Sequence, residues 1–281
     1  MAEFSAKDVA ALRKATGAGM MDCKKALEEC NGDAEAARTW LREKGKAGAD
    51  ERRDRAADQG SVDVVVEGNV GAIVELNCET DFVAKGDVFK GTVARLVRHV
   101  AEHGDADLPS QSFDGSTVDD VIKGLSGTLG EKIELGRVVR FESADGLIDG
   151  YKHVQNERGV IGVLVELGGV DSSDAKAQEV AHDIALHVAN SAPRYTRRED
   201  VPPEEIDRER AVLEAQTRQE GKPEQALAKI VEGKLNGFFK TVVLEEQPFV
   251  RDPKTTITAL VTSLGGNATI RRFARVKIGE E

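Results

Sequence analysis

The sequence predicts an α+β fold that combines an N-terminal three-helix module, two related strand-strand-helix subdomains and an inserted antiparallel helical hairpin. The spacing of apolar residues changes from helical to strand-like at Ser61, which separates the first module from the rest. Two strand sequences match in register, VGAIVEL at 70–76 and IGVLVEL at 161–167, and this match indicates two related subdomains. Helix formers fill the segment 202–247 on both sides of a GKP break, which predicts the hairpin.

The first predicted domain covers residues 1–55 and contains the start of a linker. Its helical pieces are separated at TGAG and NGD, and Ser5 with Asp8 has the pattern of a capping box. Gly45 is predicted to end the third helix. The charged, Ala- and Gly-rich segment 45–60 is then predicted to be a mobile or partly helical linker.

The remaining chain is predicted to form subdomain N, residues 56–140, and subdomain C, residues 141–281 with the hairpin inserted at about 202–240. In subdomain N, two β-rich runs joined at EGN predict a hairpin, and an amphipathic helix follows over roughly 83–102.

Composition limits the functional classes. The 281 residues are 40% hydrophobic and 32% charged, and the formal net charge of -11 disfavours direct binding of nucleic acid. The N-terminus lacks the pattern of a secretory leader and no apolar stretch is long enough to cross a bilayer, so we expect a cytoplasmic protein that does not contact the membrane. Cys23, Cys30 and Cys78 lack the spacing of metal ligands, which favours three reduced thiols.

No catalytic or metal site can be assembled from the sequence. His99 and His103 have the i, i+4 spacing of a helical metal pair, but a third ligand is missing and a solvated helix face is favoured. Glu75 and Glu166, on the two matching strands, are predicted to face outward. We therefore expect a protein that is not an enzyme and that needs no cofactor or metal.

The segment TDFV, Thr80 to Val83, lies where a strand gives way to a helix. From the residues alone, the favoured interpretation is that Thr80 or Asp81 caps the helix while Phe82 packs on the sheet. The alternative is that Phe82 projects from the surface for insertion into a partner.

Met20 and Met21 raise the same question at the start of the second helix. Core packing is the favoured interpretation for this pair. Adjacent helical positions point about 100° apart, however, so at least one of the two is expected to face outward.

Several longer motifs resemble the bacterial elongation factor Ts family. They are LRKATGAGMMDCKKALEECNGD, NCETDFVAKGDVF, YKHVQNERGVIGVLVEL, IALHVANSAP, and GKP followed by EQPFV. They occur in the order that the family has and extend over nearly the whole chain. The resemblance implies that the first module is similar to a ubiquitin-associated (UBA) domain and that the hairpin is a coiled coil.

The resemblance also implies a function: guanine-nucleotide exchange on elongation factor Tu. The factor would bind the GDP complex, displace Mg²⁺ and promote GDP release so that GTP can bind. This role falls on Thr80, Asp81, Phe82 and Val83. In the first module it implicates Arg13, Met20 and Met21 as contacts to the nucleotide domain of the partner.

Three other interpretations stay open at this point. A metal-dependent enzyme would need metal bound at His99 and His103. A scaffold or ubiquitin-type binding module could use the N-terminal helices alone. A homodimer could form through the helical hairpin.

Overall fold

The computed structural model describes residues 4–50 and 52–280, and the fold is α+β, as predicted. The chain forms two compact units. The first contains the chain through Arg140, the segment Lys152–Gly162 and the residues from Val276 onward, and the second contains Phe141–Tyr151 and Val163–Arg275. The division into residues 1–55, 56–140 and 141–281 stays a prediction.

In the first half of the chain, three N-terminal helices are followed by groups of strands and helices. They are α1 (Ala6–Thr16), α2 (Met20–Glu29), α3 (Ala34–Asp50), β1 (Gln59–Glu67), β2 (Val70–Cys78), α4 (Asp81–Lys85), α5 (Asp87–His103), β3 (Ser112–Phe113), β4 (Ser116–Thr117), α6 (Val118–Leu129) and β5 (Ile133–Glu142).

The first three helices pack around a small apolar cluster of their own. Ser5 and Asp8 form the predicted capping box at the start of α1. The buried members of the cluster are Val9, Leu12, Ala18, Cys23, Ala26, Leu27 and Ala37. The similarity of this module to a UBA domain stays a prediction.

The first sheet has the strand order β1-β2-β5. β1 and β2 form the predicted antiparallel hairpin with Glu67 opposite Val70, and Gly68 supplies the left-handed turn at φ 60°. The single helix predicted after β2 is instead divided into α4 and α5, because Gly86 adopts an extended conformation between them. α5 buries Phe89, Val93, Leu96 and Val97 in the apolar core of this unit.

The prediction that Gly45 ends the third helix is wrong, because α3 continues to Asp50. Gly45 instead lies at a close crossing of α3 and α6. A Cβ added to Gly127 would lie 2.0 Å from the Gly45 Cα, so neither helix could approach the other as closely with a larger residue at that point. Contact with α6 thus accounts for a glycine inside a helix, and the linker before β1 is shorter than predicted.

The second half of the chain contains a second hairpin and most of the remaining helices. Its elements are β6 (Leu147–Gln155), β7 (Arg158–Gly168), α7 (Ala175–Ser191), α8 (Pro203–Gln219), α9 (Glu224–Val242), β8 (Pro248–Phe249), β9 (Asp252–Thr256), α10 (Ile257–Thr262) and β10 (Thr269–Lys277). Its three-stranded sheet has the order β10-β7-β6. In the part of the chain that the structure describes, no helix is both long and apolar enough to span a membrane.

α8 and α9 pack against each other after a short turn at Gly221. Ion pairs join Arg210 to Glu232 at 3.1 Å and Arg218 to Glu224 at 3.7 Å, so the later residue of α8 faces the earlier residue of α9 and the two helices run antiparallel. An apolar cluster lies between the two helices and the segments next to them. Its buried residues are Val201, Leu213, Leu227, Val231, Leu235, Phe239, Val242 and Val243. The assignment of the pair as a coiled coil stays a prediction.

The prediction that Glu75 and Glu166 face outward is wrong, since both are buried at the centres of their sheets. The Nε of Arg137 donates to Glu75 over 3.1 Å. Arg272 Nε and Arg271 Nη1 donate to Glu166 over 2.6 and 3.2 Å. Each carboxylate can be buried because arginine compensates its charge.

Candidate partner-binding surface around Phe82

Phe82 projects into solvent from α4. It is 83% exposed, more than any other large apolar side chain among the described residues. The prediction that this ring packs on the sheet is therefore wrong. An aromatic ring exposed to this extent beside a charged pair is a candidate anchor for insertion into a partner.

The helix beneath Phe82 is fixed to the core. Thr80, one of the two capping residues that the sequence predicted, caps α4 by accepting a hydrogen bond from the Val83 amide at 3.4 Å. Val83 packs against the core of the first unit, and Ala84 is fully buried. The helix thus buries one face while its second residue, Phe82, points away.

The Cys78 thiol supports the same loop from the inside. It is fully buried and donates a hydrogen bond to the Thr80 carbonyl at 3.2 Å. Burial raises the pKa of this thiol to about 12, so it stays protonated and keeps its role as a donor at neutral pH.

Two carboxylates connect the loop before α4 to the turn before β5. Glu131 accepts hydrogen bonds from the Thr80 amide at 3.0 Å and the Thr80 hydroxyl at 2.5 Å. Glu79 accepts from the Lys132 amide at 2.6 Å and from Arg55 at 3.1 Å. The hydrogen bond from the Lys132 amide lowers the pKa of Glu79, and the weaker effect of the hydrogen bond from Arg55 acts in the same direction.

A charged pair lies beside the exposed ring. Lys85 Nζ donates to Asp81 Oδ2 at 2.5 Å, one helical turn apart, and lies 5.9 Å from the centre of the Phe82 ring. The hydrogen bond from Lys85 lowers the pKa of Asp81, which stays ionised at neutral pH. The ring is therefore flanked by a carboxylate and an ammonium group that are already paired.

The N-terminal helices present a second exposed apolar pair. Met20 is 49% exposed and Met21 is 73% exposed, so the favoured prediction of core packing is wrong for both. Arg13 is also exposed, on α1. A Cβ added to Gly17 would lie 3.9 Å from a Val88 methyl group, which places the α1–α2 turn next to the start of α5.

His99 and His103 stack on one another, with ring centres 4.5 Å apart. His99 Nε2 lies 2.7 Å from the Gln111 side-chain oxygen. Across residues 4–50 and 52–280, no group of three or more His, Cys, Asp or Glu side chains is arranged to hold a metal ion.

Comparison with known proteins decides the family. The model of the family described as Elongation factor TS matches residues 79–280. The elongation factor Ts of Micrococcus luteus is 45% identical over 99% of this chain and 100% of its own length. Elongation factor Ts from Thermobifida fusca is 46% identical over all of both chains, and the one from Streptomyces avermitilis is 45% identical over 99% of this chain. The chain belongs to the elongation factor Ts family.

Membership in the elongation factor Ts family confirms the predicted resemblance and gives the chain an elongation-factor role in protein biosynthesis. The family match begins at Glu79, so it contains the whole of α4 with Thr80, Asp81, Phe82 and Val83. The first three helices lie before that match but within the alignments to the relatives.

Sequence reasoning missed Lys85, which lies beside the exposed ring, and Glu79 and Glu131, which support the loop before α4 in this member of the elongation factor Ts family. The spacing of Asp81 and Lys85, four residues apart, is a signal that could have identified their ion pair. Glu131 is separated from Thr80 by 51 residues, and neither periodicity nor a motif links them.

Proposed function

We propose that this protein is a guanine-nucleotide exchange factor for elongation factor Tu. It binds the GDP complex of elongation factor Tu, displaces Mg²⁺ and promotes GDP release, and the nucleotide-free complex then accepts GTP. The observation that supports this proposal most directly is Phe82, a large ring that is 83% exposed on a helix anchored to the core.

Exchange of this kind is a coupling between two binding events. The nucleotide and the exchange factor each favour a different conformation of the partner, so each weakens the binding of the other by the same factor. Mg²⁺ bridges phosphate oxygens and protein ligands, and a shift of the elements around it loosens the nucleotide. No bond in GDP is broken, and the protein acts without bond-making chemistry.

The ring can supply part of the required free energy. Burial of Phe82 in the partner contributes about 1.5 to 3 kcal/mol, which corresponds to about ten- to a hundredfold in affinity. Release of a tightly held nucleotide needs more than that. The rest comes from a broad contact, in which we assign Arg13, Met20 and Met21 to the nucleotide domain of elongation factor Tu; all three are exposed.

Asp81 has a smaller role in the proposal. Its carboxylate is ionised next to Lys85 and lies one residue before the ring. A negative charge brought close to the Mg²⁺ site attracts the ion and repels its anionic ligands, so it weakens the coordination of Mg²⁺. Thr80 and Val83 hold this pair of side chains in place through the cap and the core contact.

The proposal is tested by Phe82→Ala. We expect the variant to retain substantial binding to elongation factor Tu but to release GDP at least about tenfold more slowly, because the ring acts after encounter. Rapid mixing with fluorescent GDP at saturating factor measures the release rate. Val212→Ala is the matched control, since Val212 is a 49% exposed apolar side chain on α8. An unchanged release rate for Phe82→Ala would refute the proposal.

A further inference from the structure

The two residues before α4 are held by one carboxylate from a distant part of the first unit. Glu131 accepts three hydrogen bonds there, from the Glu79 amide at 3.1 Å, the Thr80 amide at 3.0 Å and the Thr80 hydroxyl at 2.5 Å. The Glu131 side chain thus accepts from both hydrogen-bond donors of Thr80, its amide and its hydroxyl, and also from the amide of Glu79.

α4 needs such a support because it is very short. It has 5 residues, and an isolated helix of that length does not persist in water. Its start depends on the Thr80 hydroxyl, which donates to Glu131 and accepts from the Val83 amide. The direction in which Phe82 leaves the surface therefore depends on the position of that hydroxyl group.

Glu131 is itself fixed in place by the end of α6. Gly130 closes α6 in the left-handed conformation at φ 77°. The buried Ser126 hydroxyl donates to the Glu131 carbonyl at 2.5 Å. A continuous set of hydrogen bonds thus connects α6, through Glu131 and Thr80, to the helix that carries Phe82.

The carboxylate of Glu79 adds a second connection between the loop before α4 and the turn before β5. Glu79 accepts from the amide of Lys132, the residue after Glu131, so each segment binds the backbone of the other. Arg55 donates to Glu79 and offsets the negative charge that two adjacent carboxylates would otherwise concentrate.

We propose that Glu131 is a positioning residue that fixes the orientation of Phe82 before the partner is met. This inference rests on the proposed exchange function and extends it to a residue outside the exposed surface. A loop ordered in advance loses less conformational entropy when the ring enters the partner. The maximal rate of GDP release depends on Glu131, whereas the affinity for elongation factor Tu changes less.

The test compares Glu131→Ala with Glu131→Gln in the full-length protein. Loss of the carboxylate that accepts from the Glu79 and Thr80 amides is expected to raise hydrogen exchange at these amides about fivefold or more in the Ala variant. The Gln side chain keeps an acceptor oxygen for these amides and is expected to restore most of the protection. Glu134→Ala is the matched control, because Glu134 is a partly exposed carboxylate on β5 that forms an ion pair with Lys132 at 2.9 Å.

The same variants are then assayed for GDP release at saturating factor. We expect Glu131→Ala to lower the maximal rate about fivefold, Glu131→Gln to restore it, and Glu134→Ala to leave it unchanged. In a Phe82→Ala background, Glu131→Ala should cause no further loss, because Glu131 acts through that ring.

Each outcome decides between the two proposals. If Phe82→Ala slows release but Glu131→Ala does not, or if Glu131→Ala costs the same factor without the ring, the positioning role is wrong and the exchange function stands. Unchanged amide exchange in both Glu131 variants would also overturn it. If Phe82→Ala leaves release unchanged, the proposed function itself fails.

Discussion

β2 and β7 make the closest comparison within the molecule. Each is the central strand of a three-stranded sheet, and their sequences match over VGAIVEL and IGVLVEL. The match extends to their buried carboxylates, Glu75 and Glu166, each bound by arginine from the third strand of its sheet. The repeated sequence therefore specifies the same sheet centre, including its buried charge.

The two strands end differently. β2 is followed after two residues by α4, which exposes Phe82. β7 is followed by Gly169, where a Cβ would lie 2.2 Å from the Asn267 carbonyl oxygen, and the chain then reaches α7, capped by Asp174. β2 and β7 are alike as central strands, but the residues that follow each strand differ. Those residues determine whether an apolar side chain is exposed for contact with a partner.

The units also differ in their additional helices. α3 reaches α6 through the glycine crossing at Gly45 and Gly127, where backbone meets backbone. α8 and α9 instead share an apolar cluster of their own, supported by ion pairs. A larger residue at the glycine crossing would push α3 and α6 apart. The α8–α9 contact is made by side chains, which can rearrange around a substitution.

The largest effect is expected at the glycine crossing. Gly127→Ala places a methyl group 2.0 Å from the Gly45 Cα and is expected to lower the free energy of unfolding by about 3 kcal/mol. Trp40, the single tryptophan, lies on α3 and reports the change by fluorescence during denaturation. Gly124→Ala is the matched control: it has open space and is expected to stabilise α6 by about 0.5 to 1 kcal/mol. Equal stabilities of the two variants would contradict the close crossing.

The next effect tests the shared sheet centre. Glu166→Gln removes the carboxylate that Arg272 and Arg271 share, although Arg271 keeps Asp145 at 2.6 Å, and is expected to cost about 2 kcal/mol at neutral pH. Burial opposes ionisation of Glu166, but hydrogen bonds from Ser143, Arg272 and Arg271 outweigh it and lower its pKa below the ordinary 4.5.

The sign of the pH dependence follows from that lowered pKa. The contribution of Glu166 is complete above pH 4.5 and is lost as the pH falls through the lowered pKa. Denaturation at neutral pH and at about pH 3.5 should therefore show a smaller acid loss in Glu166→Gln than in the natural protein. Glu179→Gln, at an exposed position of α7, is the control. An identical acid loss in all three proteins would count against the buried ion cluster.

The smallest effect is expected on GDP release, from a substitution in α4, the helix that follows β2. Asp81→Ala is expected to slow GDP release by less than about fivefold, because the Asp81 charge is already paired with Lys85 on the surface. The defect should shrink as free Mg²⁺ is lowered, which rapid mixing with fluorescent GDP can follow. Asp87→Ala, at a fully exposed carboxylate at the start of α5, is the control. A defect that does not depend on Mg²⁺ would remove Asp81 from the mechanism.

The sequence predicted the parts of the fold that depend on neighbouring residues. The β1–β2 hairpin, the Ser5 capping box and the two helices around the GKP break all follow from local patterns. Gly45 misled the prediction because a glycine that ends a helix and one that allows a close crossing look the same in one sequence. Glu75 and Glu166 misled it because their arginine partners come from strands far along the chain.

The candidate surface divides in the same way. The cap at Thr80 could be predicted from its place before the helix, because capping is a local interaction. The exposure of Phe82 could not, since burial depends on the space left by the rest of the unit. Glu131 reaches Thr80 across 51 residues, a contact that only the folded chain creates.

The exposed ring of Phe82 also affects how copies of the protein interact with one another. A bare aromatic ring on a protein surface favours sticking between copies at high concentration. Here a formal net charge of -11 makes the copies repel one another, and that repulsion weakens when salt screens it. The acidity of the chain, which disfavoured nucleic acid as a ligand, therefore also opposes self-association through the exposed Phe82 ring.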